Sequence, residues 1–343
     1  MASYPRLRAV LMRVAQSVPV VVGVVVISFL LTRALPGDPA AYFAGAAADE
    51  ASIEQVRVAL GLDKPLIQQF FIYSADLLRG DLGRSVSSGQ PVAADLAKRL
   101  PASLELTLTA LLLSCGIAIP LGILAATKPG SWIDHICRLL VTAGVSLPTF
   151  FTGILLIYFF YYLLGIAPSP LGRLDFIYLD PEHVTGFYLI DAALAGDWET
   201  WSGAAKQLIL PAVTLALFTL APIARMTRAA MLTALSSDFI RTARAAGLSS
   251  GMVLFGYAFR NAMLPVVTTL GMVFSFALGA NVLVEKVFAW PGIGSYAVEA
   301  LVVSDYAAVQ GFVLIMALLF VLLNLIIDLL YTAIDPRIGF AAK

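Results

Sequence analysis

The sequence predicts an all-α, polytopic membrane protein with six transmembrane helices. Three observations predict it. Of the 343 residues, 60% are hydrophobic and 13% charged, whereas soluble domains are about half apolar and a quarter charged. The apolar residues gather in blocks near the roughly 20 residues that a helix needs to cross a bilayer. Six such blocks occur, at 11–32, 102–127, 139–164, 208–229, 262–284 and 307–331. A buried soluble helix can imitate one such block, but not six in a chain of mean hydropathy +0.89.

Residues 1–32 read as a tail and first span. The apolar run follows Arg6, Arg8 and Arg13, continues to about Leu31 and shows no small-x-small cleavage site, so it is expected to be retained. Residues 33–101 form an external helical segment. SIEQVRVALGL and PLIQQFFIYSADLLRG are amphipathic, and QPVAADLAKRLP predicts a further short helix ending before Pro101. Residues 102–331 hold five spans. They include an external loop at 165–207, suited to a lid, a docking surface or a cargo contact, and a second loop at 233–261. The aromatic run at 150–164 suits lipid-facing or packing positions. The fourth span carries Pro211 and Pro222, which neighbouring helices must accommodate. The fifth has no charge from Ala262 to Val284, and the sixth none from Ala307 to Ile327. Residues 332–343 close the chain as a tail.

Lys and Arg near the span ends set the orientation. With the N-terminus inside, the cytoplasmic side holds 12 of 22 basic residues and 4 of 22 acidic ones. The 233–261 loop is basic, while 165–207 sets Arg173 and Lys206 against six acids. Both termini are therefore expected in the cytoplasm. A formal net charge of zero argues against a nucleic-acid binder. Cys115 and Cys137 suggest neither a disulfide framework nor a thiolate metal site, and His135 and His183 lack ligand spacing. No GxxxxGK[ST] phosphate loop is present.

The 233–261 loop carries the sharpest local signal. Ser237 is placed to cap a short helix from Asp238, and Gly247 to end it. Arg241 and Arg244 would share one side, with Phe239, Ala243 and Ala246 forming a smaller apolar side. A second helical stretch would run from about Ser250 through Arg260. Such an element suits the groove of a partner protein, with arginines at its edges, or a surface of anionic headgroups.

Elsewhere, Asn281 and Glu285 lie four apart near the outer end of the fifth span, placed for gate packing or for lining a passage. Asn324 and Asp328 share a face of the sixth, placed for structural pairing or for cargo contact. Trp290, Pro291, Gly292 and Gly294 predict a tight external turn, with Trp290 as an interfacial anchor.

The order Asp238-Phe239-Ile240-Arg241-Thr242-Ala243-Arg244-Ala245-Ala246-Gly247-Leu248-Ser249, followed by Arg260-Asn261-Ala262-Met263-Leu264-Pro265, resembles the coupling loop of ATP-binding-cassette importer permeases. It is most similar to their dipeptide, oligopeptide and nickel branch. The general pattern is Glu-Ala-Ala, three residues, Gly, and a later Leu-Pro. Arg241 and Thr242 depart from it, while Ala243, Gly247 and Leu264-Pro265 match, the last at a longer spacing. Further similar segments cover nearly the whole chain: Leu35-Pro36-Gly37-Asp38-Pro39, Gly61-Leu62-Asp63-Lys64-Pro65, Gly80-Asp81-Leu82-Gly83, the 99–105 and 285–294 runs, and a closing segment from Asn324 to Arg337.

The resemblance implies an importer-permease core with a cytoplasmic coupling helix, and no catalysis in this chain. ATP and Mg would bind two separate cytoplasmic ATPase subunits. A second homologous permease would pair with this one in the bacterial or archaeal inner membrane, and an extracytoplasmic binding protein would deliver cargo. Asp238, Arg241, Thr242, Ala243, Arg244, Gly247 and Leu248 would then receive the ATPase motion. Short peptides are the expected cargo, with chelated nickel or another small solute as the alternative. An ion-coupled secondary transporter, a membrane scaffold or an intramembrane enzyme is weaker, because neither an internal repeat nor a catalytic carboxylate pair is found.

Overall fold

The computed structural model describes residues 4–34, 40, 48–59 and 61–334. Side chains are described throughout these ranges except at 4–14, 31–34, 59, 145, 328 and 330–334. The Leu35–Pro39 and Asp335–Arg337 segments of the resemblance lie outside the described residues. Every regular element described is helical. The chain forms two compact units, one within Met1–Pro101 and Gly292–Leu322, the other within Ala102–Pro291 and Leu323–Lys343.

The first unit contains α1 (Tyr4–Ala34), α2 (Glu50–Ala59), α3 (Leu66–Leu78), the start of α4 (Val92–Thr127), α11 (Ile293–Val302) and much of α12 (Tyr306–Ile334). Phe29 of α1 meets Phe70 of α3 edge to face, with ring centroids 5.3 Å apart. Val92, Leu96, Ile293, Tyr296, Ala300, Ala307 and Ala308 form a common core. Asp305 begins α12. Its Oδ1 accepts from the Ala308 N–H at 3.2 Å, and its Oδ2 accepts from Ser85 Oγ at 2.6 Å and the Ser87 N–H at 3.1 Å. One buried carboxylate thus starts a helix and fixes the 85–88 loop.

The second unit is built around α8 (Trp198–Leu235), against which α10 (Arg260–Val287), α5 (Trp132–Ser146), α6 (Thr149–Leu156) and α7 (Tyr188–Ala195) pack. Helices in lipid gain nothing from hiding apolar surface from water, so small residues permit the close contacts that hold them together. A Cβ on Gly122 of α4 would lie 2.7 Å from Thr227 Cβ and 2.9 Å from the Ala224 carbonyl. A Cβ on Gly144 of α5 would lie 2.7 Å from the Leu217 carbonyl. Both helices therefore rest on the backbone of α8.

Four described helices are long and apolar enough to span a membrane: Val92–Thr127, Trp198–Leu235, Met252–Val287 and Tyr306–Ile327. A fifth span is available if the bent pair Trp132–Gly144 and Thr149–Leu163 crosses as one. The expected first span lies in α1, whose described apolar stretch is the shorter Ala15–Leu30. The chain is thus a multi-pass helical membrane protein with four or five full-length spans among the described residues.

Three boundaries differ from expectation. Pro101 does not end a short helix; α4 runs through it from Val92. Proline removes one backbone donor and strains the turn before it, but continuous packing on both sides can hold the helix together. The third block is not one helix. It breaks at Leu147, which takes φ −110° and ψ 139°, because Pro148 disfavours the helical conformation in the residue before it. The two arms differ in direction by 105°, and the second continues as π-helical turns over Ile157–Leu163. The fourth span starts earlier, at Trp198, where Asp197 accepts from the Thr200 N–H at 3.0 Å. Its 38 residues extend about 57 Å, well past the ~30 Å hydrocarbon core.

Candidate functional site

The loop singled out in the sequence forms helix α9 (Asp238–Ala245). Ser237 stands at the cap position with extended φ −76° and ψ 154°, yet its hydroxyl donates backward to the Ala234 carbonyl at 2.5 Å and makes no side-chain cap. The other end is closed by backbone bonds. The Gly247 N–H donates to the Arg244 carbonyl at 3.0 Å and the Leu248 N–H to the Ala243 carbonyl at 3.3 Å. This pair of bonds turns the chain sharply when the residue after the cap is left-handed. Gly247 supplies that conformation with φ 74°. A Cβ there would meet nothing within 4 Å, so the demand for glycine is torsional, not steric.

The buried side of α9 differs from expectation. Ile240 is fully buried and Ala243 nearly so, whereas Phe239 and Ala246 are exposed. The spacing of three puts Ile240 and Ala243 on one side, and Leu248 joins them after the turn. Together they pack with Ile123 and Ala126 of α4, Met231 and Ala234 of α8, Val253 and Ala258 of the π-helical stretch Met252–Phe259, and Ala262 of α10. The short helix is therefore keyed into the ends of three spans. Its other side is open. Asp238, Arg241, Thr242 and Arg244 are exposed, and Arg241 pairs with Asp238 at 3.3 Å. Met252, Phe255 and Tyr257 add exposed apolar surface nearby.

An ion pair that sequence reasoning missed lies in the same unit. Asp134, in the first turn of α5, receives Arg228 Nε at 2.5 Å and Nη2 at 3.0 Å, and also the Gly130 N–H at 2.9 Å. The bidentate geometry is the strong form of such contacts. The partners are 94 residues apart, and no local pattern announces the pair.

Asn281 and Glu285 are each 1% exposed. Ser103 Oγ donates to Glu285 Oε1 at 2.5 Å, and Asn281 Nδ2 donates to the same oxygen at 3.0 Å and to Thr107 Oγ1 at 3.2 Å. The two residues lock α10 to α4. Asn324 is exposed on α12, and the side chain of Asp328 lies outside the described residues.

Trp290 is not an interfacial anchor in this fold. It is 1% exposed, and its indole N–H donates to the Ala102 carbonyl at 2.9 Å. A bulky ring with one donor is well satisfied by an apolar pocket ending in a carbonyl. The strained torsion of this turn also lies elsewhere than expected. Ala289 has φ 48°, whereas Gly292 has φ −93° and Gly294 is helical; Pro291 is exposed.

A second missed cluster ties the 165–207 loop to the bundle. Arg173 and Glu105 are 7% and 5% exposed. Arg173 Nη2 donates to Glu105 Oε2 at 2.6 Å and to the Gly186 carbonyl at 2.8 Å, while the Leu189 N–H donates to Glu105 Oε1 at 2.9 Å. The guanidinium lies 3.6 Å from the centre of the Tyr188 ring. Burial, and next the Asp180 carboxylate, push the Tyr188 phenol up to about 12, so it stays neutral. Asp191 accepts from Thr185 and from the Gly186 N–H. Burial would raise its carboxyl, but these bonds together hold it below the ordinary range.

Among the described residues, no three His, Cys, Asp or Glu side chains gather in a way that could hold a metal ion. What the geometry offers is an exposed polar and partly apolar surface on a short helix keyed into membrane helices.

Residues 118–340 match the family described as binding-protein-dependent transport system inner membrane component, and residues 6–107 match its N-terminal membrane component. The probable D,D-dipeptide transport system permease protein DdpB of Escherichia coli (strain K12) is 48% identical over 93% of this chain and 94% of its own length. The di/tripeptide transport system permease protein DppB of Pseudomonas aeruginosa (strain UCBPP-PA14) is 41% identical over 95% and 97%. The dipeptide transport system permease protein DppB of Escherichia coli (strain K12) is 40% identical over 97% and 98%. With both models covering most of the chain and relatives matched over nearly their full length, the chain belongs to the inner-membrane permease components of binding-protein-dependent transport systems.

Proposed function

We propose that this chain is one of two permease subunits of an ATP-driven importer, and that its cargo is dipeptide-sized. A binding protein delivers the cargo outside, and two ATPase subunits with ATP and Mg dock inside. Six spans and cytoplasmic termini complete the arrangement. The observation that carries the mechanical part is the attachment of α9: Ile240, Ala243 and Leu248 are embedded among the ends of α4, α8 and α10, while Asp238, Arg241, Thr242 and Arg244 stay exposed. A push on the open side reaches three spans through packed side chains. Nucleotide and cargo then occupy distinct sites linked by two transporter states. The cargo class follows the relatives, whose names specify dipeptides and tripeptides.

The test is ATP-dependent uptake in sealed vesicles holding the chain with its co-purified partners. L-Ala-L-Ala, D-Ala-D-Ala and chelated nickel are offered separately. Uptake of a dipeptide that needs ATP and the binding protein is expected. Replacing Gly247 by Val places a β-branched residue at φ 74°, a conformation it strongly resists. Uptake should then fall at least about tenfold, the effect of some 1.4 kcal/mol on the coupled step, while the complex still assembles. Dipeptide uptake without ATPase subunits, or uptake of nickel alone, overturns the reading.

A further inference from the structure

We infer that Asp134 and Arg228 position α5 for transport: their ion pair binds α5 to the stretch of α8 that seats α9, so that the ATPase push reaches a fourth helix. The inference rests on the importer reading above and deepens it by naming positioning residues for that reaction.

One short stretch of α8 serves both neighbours. Met231 and Ala234 are buried in the cluster that holds Ile240 and Ala243 of α9. Arg228 precedes Met231 by less than one turn, about 4.5 Å along the axis. Its guanidinium donates through Nε and Nη2 to the two carboxylate oxygens of Asp134. The Gly130 N–H donates to one of those oxygens from the turn that leads out of α4, a turn that Gly130 holds with φ 79°. One buried carboxylate therefore ties α8 to the start of α5 and to the turn before it. Arg138 lies 3.6 Å from the same carboxylate, but it is exposed and belongs to α5 itself, so it joins nothing to α8.

The other contacts of α5 with α8 are packing. A Cβ on Gly144 would lie 2.7 Å from the Leu217 carbonyl, and Cys137 packs in one cluster with Leu220, Ile223 and Ala224. From Asp134 to Gly144 is about 15 Å along α5, and from Leu217 to Arg228 about 16 Å along α8. The antiparallel helices thus make both end contacts in register. Packing holds them together, whereas the forked ion pair also fixes distance and plane. A desolvated ion pair adds little net stability, and its best-attested use is to set register. Past Leu147 the chain turns by 105°, so α5 takes its register from the end that carries Asp134. When α9 is pushed, the pair makes α5 follow α8.

The experiment uses the assembled importer in vesicles with binding protein, ATP and L-Ala-L-Ala. Arg228→Lys keeps the charge and loses the fork. ATP hydrolysed per peptide moved should rise at least about fivefold, the low end of the coupling between linked sites, while the ATPase subunits stay bound. Spin labels at the exposed Leu139→Cys and Thr233→Cys, with Cys115→Ala and Cys137→Ala, should keep one separation with and without ATP when Arg228 is present. In Arg228→Lys that separation should change on adding ATP. A lowered thermal midpoint with an unchanged hydrolysis ratio means that the pair is only structural and overturns the inference. A label separation that shifts while the pair is intact also overturns it. Should Arg228→Lys fail to assemble, Asp134→Asn with Arg228→Gln decides, because it removes both charges and leaves neither unpaired. The same rise in the ratio is expected, and the wild-type ratio overturns the inference. Wild-type uptake without ATPase subunits would instead sink the importer reading itself, so the two failures are told apart.

Discussion

Arg173 and Glu105 are 68 residues apart in sequence and meet at 2.6 Å with almost no exposure. Neither stands out in the sequence, because a single arginine in an acidic loop and a single glutamate at a span end carry no shared pattern. Their value depends on each other. A buried charge that loses its partner costs about 3–5 kcal/mol, whereas replacing both partners with neutral residues costs much less. Arg173→Met alone should therefore lower the thermal midpoint of the purified protein markedly. Adding Glu105→Gln should recover a large part of the loss. The double-mutant cycle should return a coupling energy above about 1 kcal/mol, as contacting residues do. Additive losses would mean that the pair does not hold the loop. Trp290 teaches the complementary point. Its residue type suits the bilayer interface, but the Ala102 carbonyl and a tight pocket claim it instead. Composition cannot reveal which polar tip finds a buried acceptor.

At the level of elements, signals carried by local chemistry are legible in the sequence and those carried by packing are not. Ser237 marks the start of helix α9 without capping it, whereas the end of the helix is readable from Gly247, because backbone torsion is a property of a residue and its neighbours. Its buried side is not, because Phe239 is the larger apolar residue, yet Ile240 is the one that faces α4, α8 and α10. The break at Leu147 is likewise announced by Pro148, but the apolar run across it hides the signal. Ile240→Ala removes fully buried atoms and should cost about 2–4 kcal/mol locally. Phe239→Ala, on the exposed side, should cost under ~0.5 kcal/mol if packing alone is at stake. In the assembled importer Ile240→Ala should raise ATP hydrolysed per peptide moved, since α9 can then shift without moving the spans. Phe239→Ala should change binding of the ATPase subunits more than the hydrolysis ratio. Equal ratios for Ile240→Ala and wild type would remove α9 from the coupling route.

For the whole molecule, topology turns on the bent pair. Trp132–Ser146 and Thr149–Leu163 each extend about 22 Å, and with a 105° change of direction their ends lie about 27 Å apart. That chord nearly matches the ~30 Å hydrocarbon core, so the pair can cross despite its bend. A re-entrant pair would return to its starting side and reverse every later segment. Arg225, Arg228, Arg241, Arg244 and Arg260 would then lie outside, and the acid-rich 165–207 loop inside. That reverses the bias of basic residues toward the cytoplasm. It would also put the open side of α9 outside, away from the ATPase subunits of the proposed importer. Crossing is therefore the expected outcome, and it places residues 128 and 179 on opposite sides. Single cysteines at Lys128 and at the exposed Leu179, in the background lacking Cys115 and Cys137, report this directly. In intact cells stripped of their outer barrier, a membrane-impermeant maleimide should label Leu179→Cys at once. Lys128→Cys should be labelled only after the membrane is opened. Labelling of neither before opening would mean that the pair is re-entrant, and the orientation of α9 would have to be reversed with it.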